Sequence, residues 1–307
     1  MHAITISSFG AQPTFITEQP APSRGSDDQI AIKVLASGLH PLVRAQVAGT
    51  HHSVKTNMLP YIPGADGVGI TSDGRTVYFN SVAAGGGFAE EIIVPRPLVT
   101  PVPPGADPIH LAGLVNPGIS SWMALRARTS PELTPGFSVL VVGVTGLSGK
   151  LAVKFARLLG AGKIIGVARN VHKMMPLELD QRIVLAETPA ETDFSDIGDV
   201  DLILDYLYGP VTQALLNSLN SKVPTQYLQI GTVCGADICL PGALLRSKSI
   251  TIRGSAAGAW PMAQLSKELP GLLEAICKLP DMGLKVRRLE EAEMAWQMEG
   301  ERTVFVI

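Results

Sequence analysis

The stretch 138–173, reading SVLVVGVTGLSGKLAVKFARLLGAGKIIGVARNVHK, restricts the fold of this chain more than any other. Residues 139–142 form a continuous apolar run, as in a strand buried on both faces of a parallel sheet. Gly143, Gly146 and Gly149 then make a G-x-x-G-x-x-G loop. Beyond it Leu147, Leu151, Phe155, Leu158 and Leu159 recur at helical spacing, with Lys150, Lys154 and Arg157 on the other side. Gly160-Ala161-Gly162 stops that helix, and residues 164–167 repeat the buried-strand run.

Strand, glycine loop, helix and strand within about 30 residues is the unit that holds a dinucleotide. Glycines allow a tight turn and close approach of the backbone to a pyrophosphate, whose charge the helix N-terminus favours. The loop therefore predicts cofactor contacts at Gly143, Thr145, Gly146, Leu147, Ser148 and Gly149. A structural βαβ turn without a ligand is the other reading. After the second strand an NAD site would carry an acid for the ribose 2′-OH. Here the chain reads Ala168-Arg169-Asn170, with Lys173 one helical turn beyond Arg169. Two cations and no acid predict NADPH, held by Arg169, Asn170 and Lys173; the alternative is a solvated basic helix start.

A chain of 307 residues is long enough for two domains. With 46% hydrophobic and 17% charged residues it reads as compact and well buried. The balance of 25 Lys+Arg against 27 Asp+Glu leaves a net charge of −2 and no basic stripe, which argues against nucleic acid and anionic membrane as partners. Cys234, Cys239 and Cys277 form no CxxC pair and are odd in number, which suits a reducing, cytoplasmic compartment. The first residues carry neither the basic nor the apolar segment of a signal peptide, and no apolar run reaches the length of a membrane span.

In chain order, residues 1–95 read as β-rich. Ile30, Ile32 and Val34 alternate with Ala31 and Lys33, and Ser72-Asp73-Gly74 between two apolar runs signals a hairpin. A further strand is expected over 89–94. Residues 109–128 look helical but broken at Asn116-Pro117-Gly118. Four short apolar runs, at 182–185, 201–204, 226–230 and 250–252, continue the parallel sheet, and Pro176 predicts a short second helix. Asp193, Asp196, Asp199 and Asp201 match no calcium loop and read as a solvated turn. Helix over 265–278 and strand over 303–307 should rejoin the β-rich part. The fold class is therefore α/β, a doubly wound parallel sheet domain over 121–257 and a β-rich domain from 1–120 and 258–307.

Three further motifs carry a resemblance: Ser37-Gly38-Leu39-His40-Pro41, Pro63-Gly64-Ala65-Asp66-Gly67-Val68-Gly69 and Asn116-Pro117-Gly118-Ile119-Ser120-Ser121-Trp122. With the glycine loop and the ending Ala295-Trp296 and Arg302-Thr303-Val304-Phe305-Val306, the whole chain resembles the medium-chain dehydrogenase/reductase superfamily. It is most similar to the zinc-free quinone oxidoreductase and enoyl reductase branch. The resemblance implies a GroES-like fold for the β-rich catalytic domain and a Rossmann fold for the other. Alcohol dehydrogenases of that superfamily hold zinc with Cys, His and Cys, at positions that correspond here to His40, Ala65 and Asn116. Ala65 cannot bind a metal and Asn116 is a poor zinc ligand. No metal is expected, and the resemblance implies hydride transfer to an activated acceptor, an enone, enal or quinone.

His40 sits where that branch commonly has a polar residue near the nicotinamide, and it could donate to a carbonyl; a histidine bonded into loop structure is the alternative. Tyr206 ends the fourth strand of the sheet, on the side facing the ligand crevice, and could stack on the cofactor or donate a proton. Its neighbours Leu207 and Tyr208 are bulkier than the family suggests. Gly231, Thr232 and Ser255 end two more strands and are expected cofactor contacts. Arg44 reads as a surface arginine that could otherwise orient an anionic or carbonyl group, and His51-His52 as a solvated pair that could otherwise line a pocket. Trp122, Tyr61 and Trp260 read as core or as pocket wall. The partner implied is a small conjugated carbonyl substrate, and the family often forms dimers. A lyase or cyclase on the same fold, or a non-catalytic dinucleotide-binding protein, are the competing functions.

Overall fold

The computed structural model describes all of residues 1–307 save His52, Lys55 and Glu299 and the side chain of Thr56. It divides into two compact units, Met1–Asn116 with Leu269–Ile307, and Pro117–Glu268. Both boundaries fall inside helices.

The first unit opens with β1 (Ala3–Thr5), β2 (Thr14–Ile16) and β3 (Gln29–Gly38), then α1 (Pro41–Val47). Next come β4 (Asp66–Thr71), β5 (Thr76–Asn80), β6 (Glu91–Pro95) and β7 (Val99–Pro101). β3 is the hub. Its first half pairs antiparallel with β6, its middle and later residues with β4, and its end with a strand from the far C-terminus. Alternation explains why it seats: Ile32, Val34 and Ala36 are buried on the inner face, with Val77, Phe79, Ile92 and Val94 packed against the first two. The β4–β5 hairpin turns at Gly74, whose φ of +82° suits glycine.

Helix α2 (Pro108–Ala127) runs through Pro117 without a break. The expected interruption at Asn116-Pro117-Gly118 is therefore corrected. A proline inside a helix costs about 3 kcal/mol. Leu111, Leu114 and Val115 before it and Met123 and Leu125 after it are all buried, at about 1.5–3 kcal/mol each. Burial on both sides of the proline outweighs the lost hydrogen bond.

The second unit follows with β8 (Ser138–Val142), α3 (Leu147–Leu158), β9 (Lys163–Ala168), α4 (Val171–Met174) and β10 (Gln181–Val184). It continues with β11 (Leu202–Asp205), α5 (Pro210–Ser218), β12 (Thr225–Gln229), α6 (Gly242–Ser247) and β13 (Ile250–Gly254). All six strands are parallel, in the order β10-β9-β8-β11-β12-β13. Order reverses between β8 and β11, and at such a switch point the strands' carboxyl ends open a ligand crevice. Val139, Leu140, Val141 and Val142 are fully buried, as a strand covered on both faces requires.

Helix α7 (Met262–Cys277) leads back to the first unit, where β14 (Lys285–Arg288), α8 (Ala292–Gln297) and β15 (Thr303–Val306) complete the β-rich sheet. Phe305 of β15 meets Phe88 edge-on, ring centroids 5.0 Å apart. The returning C-terminus thus supplies core as well as a strand. Among the described residues no helix is long and apolar enough to cross a membrane.

Candidate functional site

The glycine loop leaves β8 at Gly143, whose φ is +93°. Its N–H and that of Val144 both donate to the Val167 carbonyl, 2.9 and 3.1 Å away, which ties the turn to β9. Gly146 caps α3 in extended conformation, with no side chain on the cap and no acid in the first turn. The first N–H groups of a helix have no partner within it, so this end offers donors and a positive dipole end to an anion. Gly149 has a different task. A Cβ there would lie 2.5 Å from the Gly143 carbonyl oxygen, so only glycine lets the helix sit this close to the loop. Thr145 is half-buried and Gly146 exposed, while the Leu147 side chain is core, which leaves Leu147 only its backbone for a ligand. The Ser148 hydroxyl donates to the Pro117 carbonyl at 3.0 Å.

At the end of β9, residues Arg169 to Lys173 line a cavity of about 540 Å³. Asn170 caps the short helix α4, its Oδ1 accepting the Lys173 N–H at 3.1 Å. Arg169 and Lys173 are exposed, and neither is in an ion pair among the described residues. His172 lines the same cavity and escaped the sequence reading, its charge being conditional on protonation. An open cavity beside two cations fits a 2′-phosphate, and the uncapped α3 fits a pyrophosphate, so the residues present fit NADPH.

The ends of β11 and β12 are built around Asp205, which is fully buried. The N–H groups of Leu207 and Tyr208 donate to Oδ1 at 2.8 and 3.0 Å. The Thr212 hydroxyl donates to Oδ2, and Tyr227 reaches the same oxygen at 2.7 Å. Four donors satisfy the oxygens of this buried carboxyl group, and no cation pairs with it among the described residues. They also hold Tyr208 at a φ of +58°.

Tyr206 points inward. Its hydroxyl lies 2.7 Å from the Ser121 Oγ, and the Ser121 hydroxyl donates to the Ser148 carbonyl at 2.8 Å. Burial pushes the Tyr206 phenol well above its ordinary range. An enclosed, engaged hydroxyl is not presented to a substrate, so the proton-donor reading of Tyr206 is set aside. Gly231 lies against Tyr206, and Thr232 is exposed at the strand end. Ser255 is 2% exposed and its Oγ is enclosed without a hydrogen-bond partner. The expected cofactor contact there has no open surface behind it.

In the first unit His40 follows the end of β3 and precedes α1. A Cβ on Gly38 would lie 2.3 Å from the His40 Nε2, so the glycine lets the ring fold back over the strand. Nε2 is 3.2 Å from Oδ1 of Asp66, close enough for charge pairing but off the line of a hydrogen bond. Asp66 is fully buried, and its Oδ2 accepts from the Tyr78 hydroxyl at 2.9 Å. Burial first, then the Asp66 charge, holds the Tyr78 phenol well above its usual range. The Ser37 hydroxyl donates to the Asp66 carbonyl at 2.6 Å. Asp66 and Tyr78 escaped the sequence reading as functional groups. The motif holding Asp66 was visible, but its contact with His40 needed β3, β4 and β5 to pair.

Arg44 donates to the Trp296 carbonyl at 2.7 Å and stacks on its ring, serving structure. His51 Nδ1 is 2.7 Å from the Ser53 hydroxyl, and His52 lies outside the described residues. Trp122, Tyr61 and Trp260 are buried. Among the described residues no three His, Cys, Asp or Glu side chains cluster as a metal site.

Several known proteins are similar to this chain. A probable NADPH-dependent quinone reductase of Emericella nidulans is 34% identical over 355 residues, covering 100% of both chains. The quinone oxidoreductase of Sus scrofa is 30% identical over 182 residues, 55% of this chain and 53% of that one. Among solved structures, a mycobacterial quinone oxidoreductase matches with a TM-score of 0.86 at 19% identity, both chains covered in full. The quinone oxidoreductase of Thermus thermophilus, solved also with NADPH, matches with a TM-score of 0.77 at 22% identity, covering 100% of both chains. At such identities these structures speak for the fold alone. No family profile matches the chain.

Proposed function

We propose a reaction from one premise: the chain belongs to the quinone oxidoreductase and enoyl reductase branch of the medium-chain dehydrogenase/reductase superfamily. It is an NADPH-dependent oxidoreductase acting on a small molecule, and its acceptor is a double bond activated by conjugation, as in an enone, enal or quinone. The observation that carries the reading is the uncapped, glycine-built start of α3 beside the cavity of Arg169 and Lys173, in a chain 34% identical end to end to a quinone reductase.

Bound NADPH supplies the hydride and its electron pair. The protein's part is to bind, orient and stabilise charge. The first N–H groups of α3 receive the pyrophosphate, with the exposed backbone of Gly146 allowing close approach. Arg169 and Lys173 bind the 2′-phosphate through charge-assisted hydrogen bonds. His40 faces the substrate carbonyl. Its Nε2 is enclosed against Asp66, and Nδ1 has no hydrogen-bond partner among the described residues. A proton at Nδ1 is donated to the carbonyl oxygen as charge arrives there. Asp66, anchored by Tyr78, steadies the ring. The donor set His40, Ala65 and Asn116 does not fit a catalytic zinc, so no step runs through one. A conjugated acceptor spreads the charge into an enolate and makes a single donor sufficient.

The reading extends to a homodimer through β13, whose outer edge no strand covers among the described residues; analytical ultracentrifugation measures it. The reaction itself is tested with NADPH deuterated at the transferred position and 2-cyclohexen-1-one. Label at the β-carbon is the expected result. Label at the carbinol carbon, or efficient oxidation of simple alcohols, overturns it, and turnover without NADPH consumption favours a lyase or cyclase.

A further inference from the structure

Tyr206 is where three parts of the dinucleotide site meet. Its main-chain N–H donates to the Val142 carbonyl at 3.1 Å, at the end of β8. On one side it lies against the first glycine of the loop: a Cβ on Gly143 would come within 3.3 Å of the Tyr206 Cβ. On the other it lies under the turn after β12, where a Cβ on Gly231 would be 2.5 Å from the Tyr206 carbonyl oxygen. The phenol then reaches a third element, the Ser121 hydroxyl of α2.

The direction of this last contact is fixed by proton counting. A serine hydroxyl has one proton. That of Ser121 goes to the Ser148 carbonyl, so the Tyr206 hydroxyl is the donor to Ser121. The chain therefore runs from Tyr206 to Ser121 to the carbonyl of Ser148, in the first turn of α3. Ser121 is fully buried, so water does not substitute for a lost partner there. A second tie runs the other way, from the Ser148 hydroxyl to the Pro117 carbonyl. The helix end that offers its N–H groups to the pyrophosphate is thus tied to α2 twice, once through the Ser121 side chain with Tyr206 behind it and once through its own Ser148 hydroxyl.

We propose that Tyr206 is a positioning residue for the cofactor, holding the first turn of α3 through Ser121 so that its N–H groups converge on the pyrophosphate. This rests on the reading that the glycine loop receives NADPH. It assigns to Tyr206 neither proton transfer nor a choice between cofactors. The pyrophosphate is common to NADPH and NADH, so removing the brace weakens both equally.

The test uses Tyr206→Phe, Ser121→Ala, Ser121→Thr and the Phe/Ala double variant of the full chain. NADPH and NADH dissociation constants come from cofactor fluorescence titration, thermal midpoints are recorded alongside, and kcat is read with 2-cyclohexen-1-one at saturating NADPH. Each hydroxyl deletion is expected to raise both dissociation constants by the same factor, about tenfold. The double variant should be no weaker than the weaker single within about twofold, since the groups act in series. Ser121→Thr, which keeps the hydroxyl, should restore binding, and kcat at saturation should hold within about twofold. Unchanged dissociation constants, even with a lowered thermal midpoint, overturn the proposal. So does a tenfold or greater fall in kcat with binding intact, which would place Tyr206 in the chemistry. If Tyr206→Phe does not fold, Ser121→Ala reads the same link. Wild-type protein that takes no NADPH overturns the cofactor reading and this proposal together; wild-type binding matched by Tyr206→Phe overturns this proposal alone.

Discussion

The start of α3 and the surroundings of His40 solve opposite problems. At the first, the chain withholds side chains: Gly146 is exposed and no side chain caps the helix, so under the proposed function backbone N–H groups do the recognition. At the second, side chains are folded inward, with Asp66 fully buried between the Tyr78 hydroxyl and the His40 ring. An anion with many oxygens is met well by an open row of backbone donors. A single developing charge needs one group held in one orientation, and buried packing supplies that. The backbone-built region should therefore fail through affinity and the side-chain-built region through rate.

The largest effect is expected where backbone meets backbone. Gly149→Ala places a Cβ 2.5 Å from the Gly143 carbonyl oxygen, and binding of both NADPH and NADH should fall by about a hundredfold or more, on the scale of a lost constellation of hydrogen bonds. Calorimetric titration measures it; intact binding with a slowed kcat would erase the contrast between the two regions. Next in size, His40→Ala should lower kcat by roughly 10²-fold or less, because a general acid contributes on that scale and water can replace it in part. Asp66→Asn should lower kcat in the same direction by a smaller factor. Both should leave the NADPH dissociation constant unchanged, and a shared loss of cofactor binding would break the comparison.

Arg169→Ala sharpens it within the second unit. A charge-assisted hydrogen bond is worth about 1.5–3 kcal/mol, and exposure reduces this. NADPH binding should weaken by about tenfold and NADH binding hardly at all, which separates this change from the equal losses expected at Gly149 and Tyr206. Equal loss for both cofactors would mean that Arg169 does not read the phosphate. The smallest expected effect is none. Extended dialysis against a chelator should leave kcat unchanged, because Ala65 and Asn116 replace two of three zinc ligands. One tightly bound zinc per chain in elemental analysis, with activity lost on chelation, would contradict this.

Local chemistry explains which parts were readable in advance. Gly143, Gly146 and Gly149 sit within seven residues, and the strand before them and helix after them are periodic, so one window contains the whole argument. Arg169 and Lys173 follow by the same logic, as does the short α4 ahead of Pro176. Asp66 and Tyr78 are different. They meet because β4 and β5 pair antiparallel, and His40 joins them because β3 lies beside β4. Pro117 misled the reading because local propensity forecast a break that burial on both sides overrode.

The doubly wound sheet, the glycine loop and the cations beyond β9 are legible in the sequence alone. Each is written in spacing between near neighbours, where sterics and periodicity act directly. Where the buried side chains point is settled by the assembled fold. It turned the Tyr206 phenol away from solvent onto Ser121, enclosed Ser255, set Asp66 against His40 and bent four donors around Asp205. A buried polar group takes whatever partner the fold brings within about 3 Å, and across many tens of residues only the pairing of elements fixes that partner.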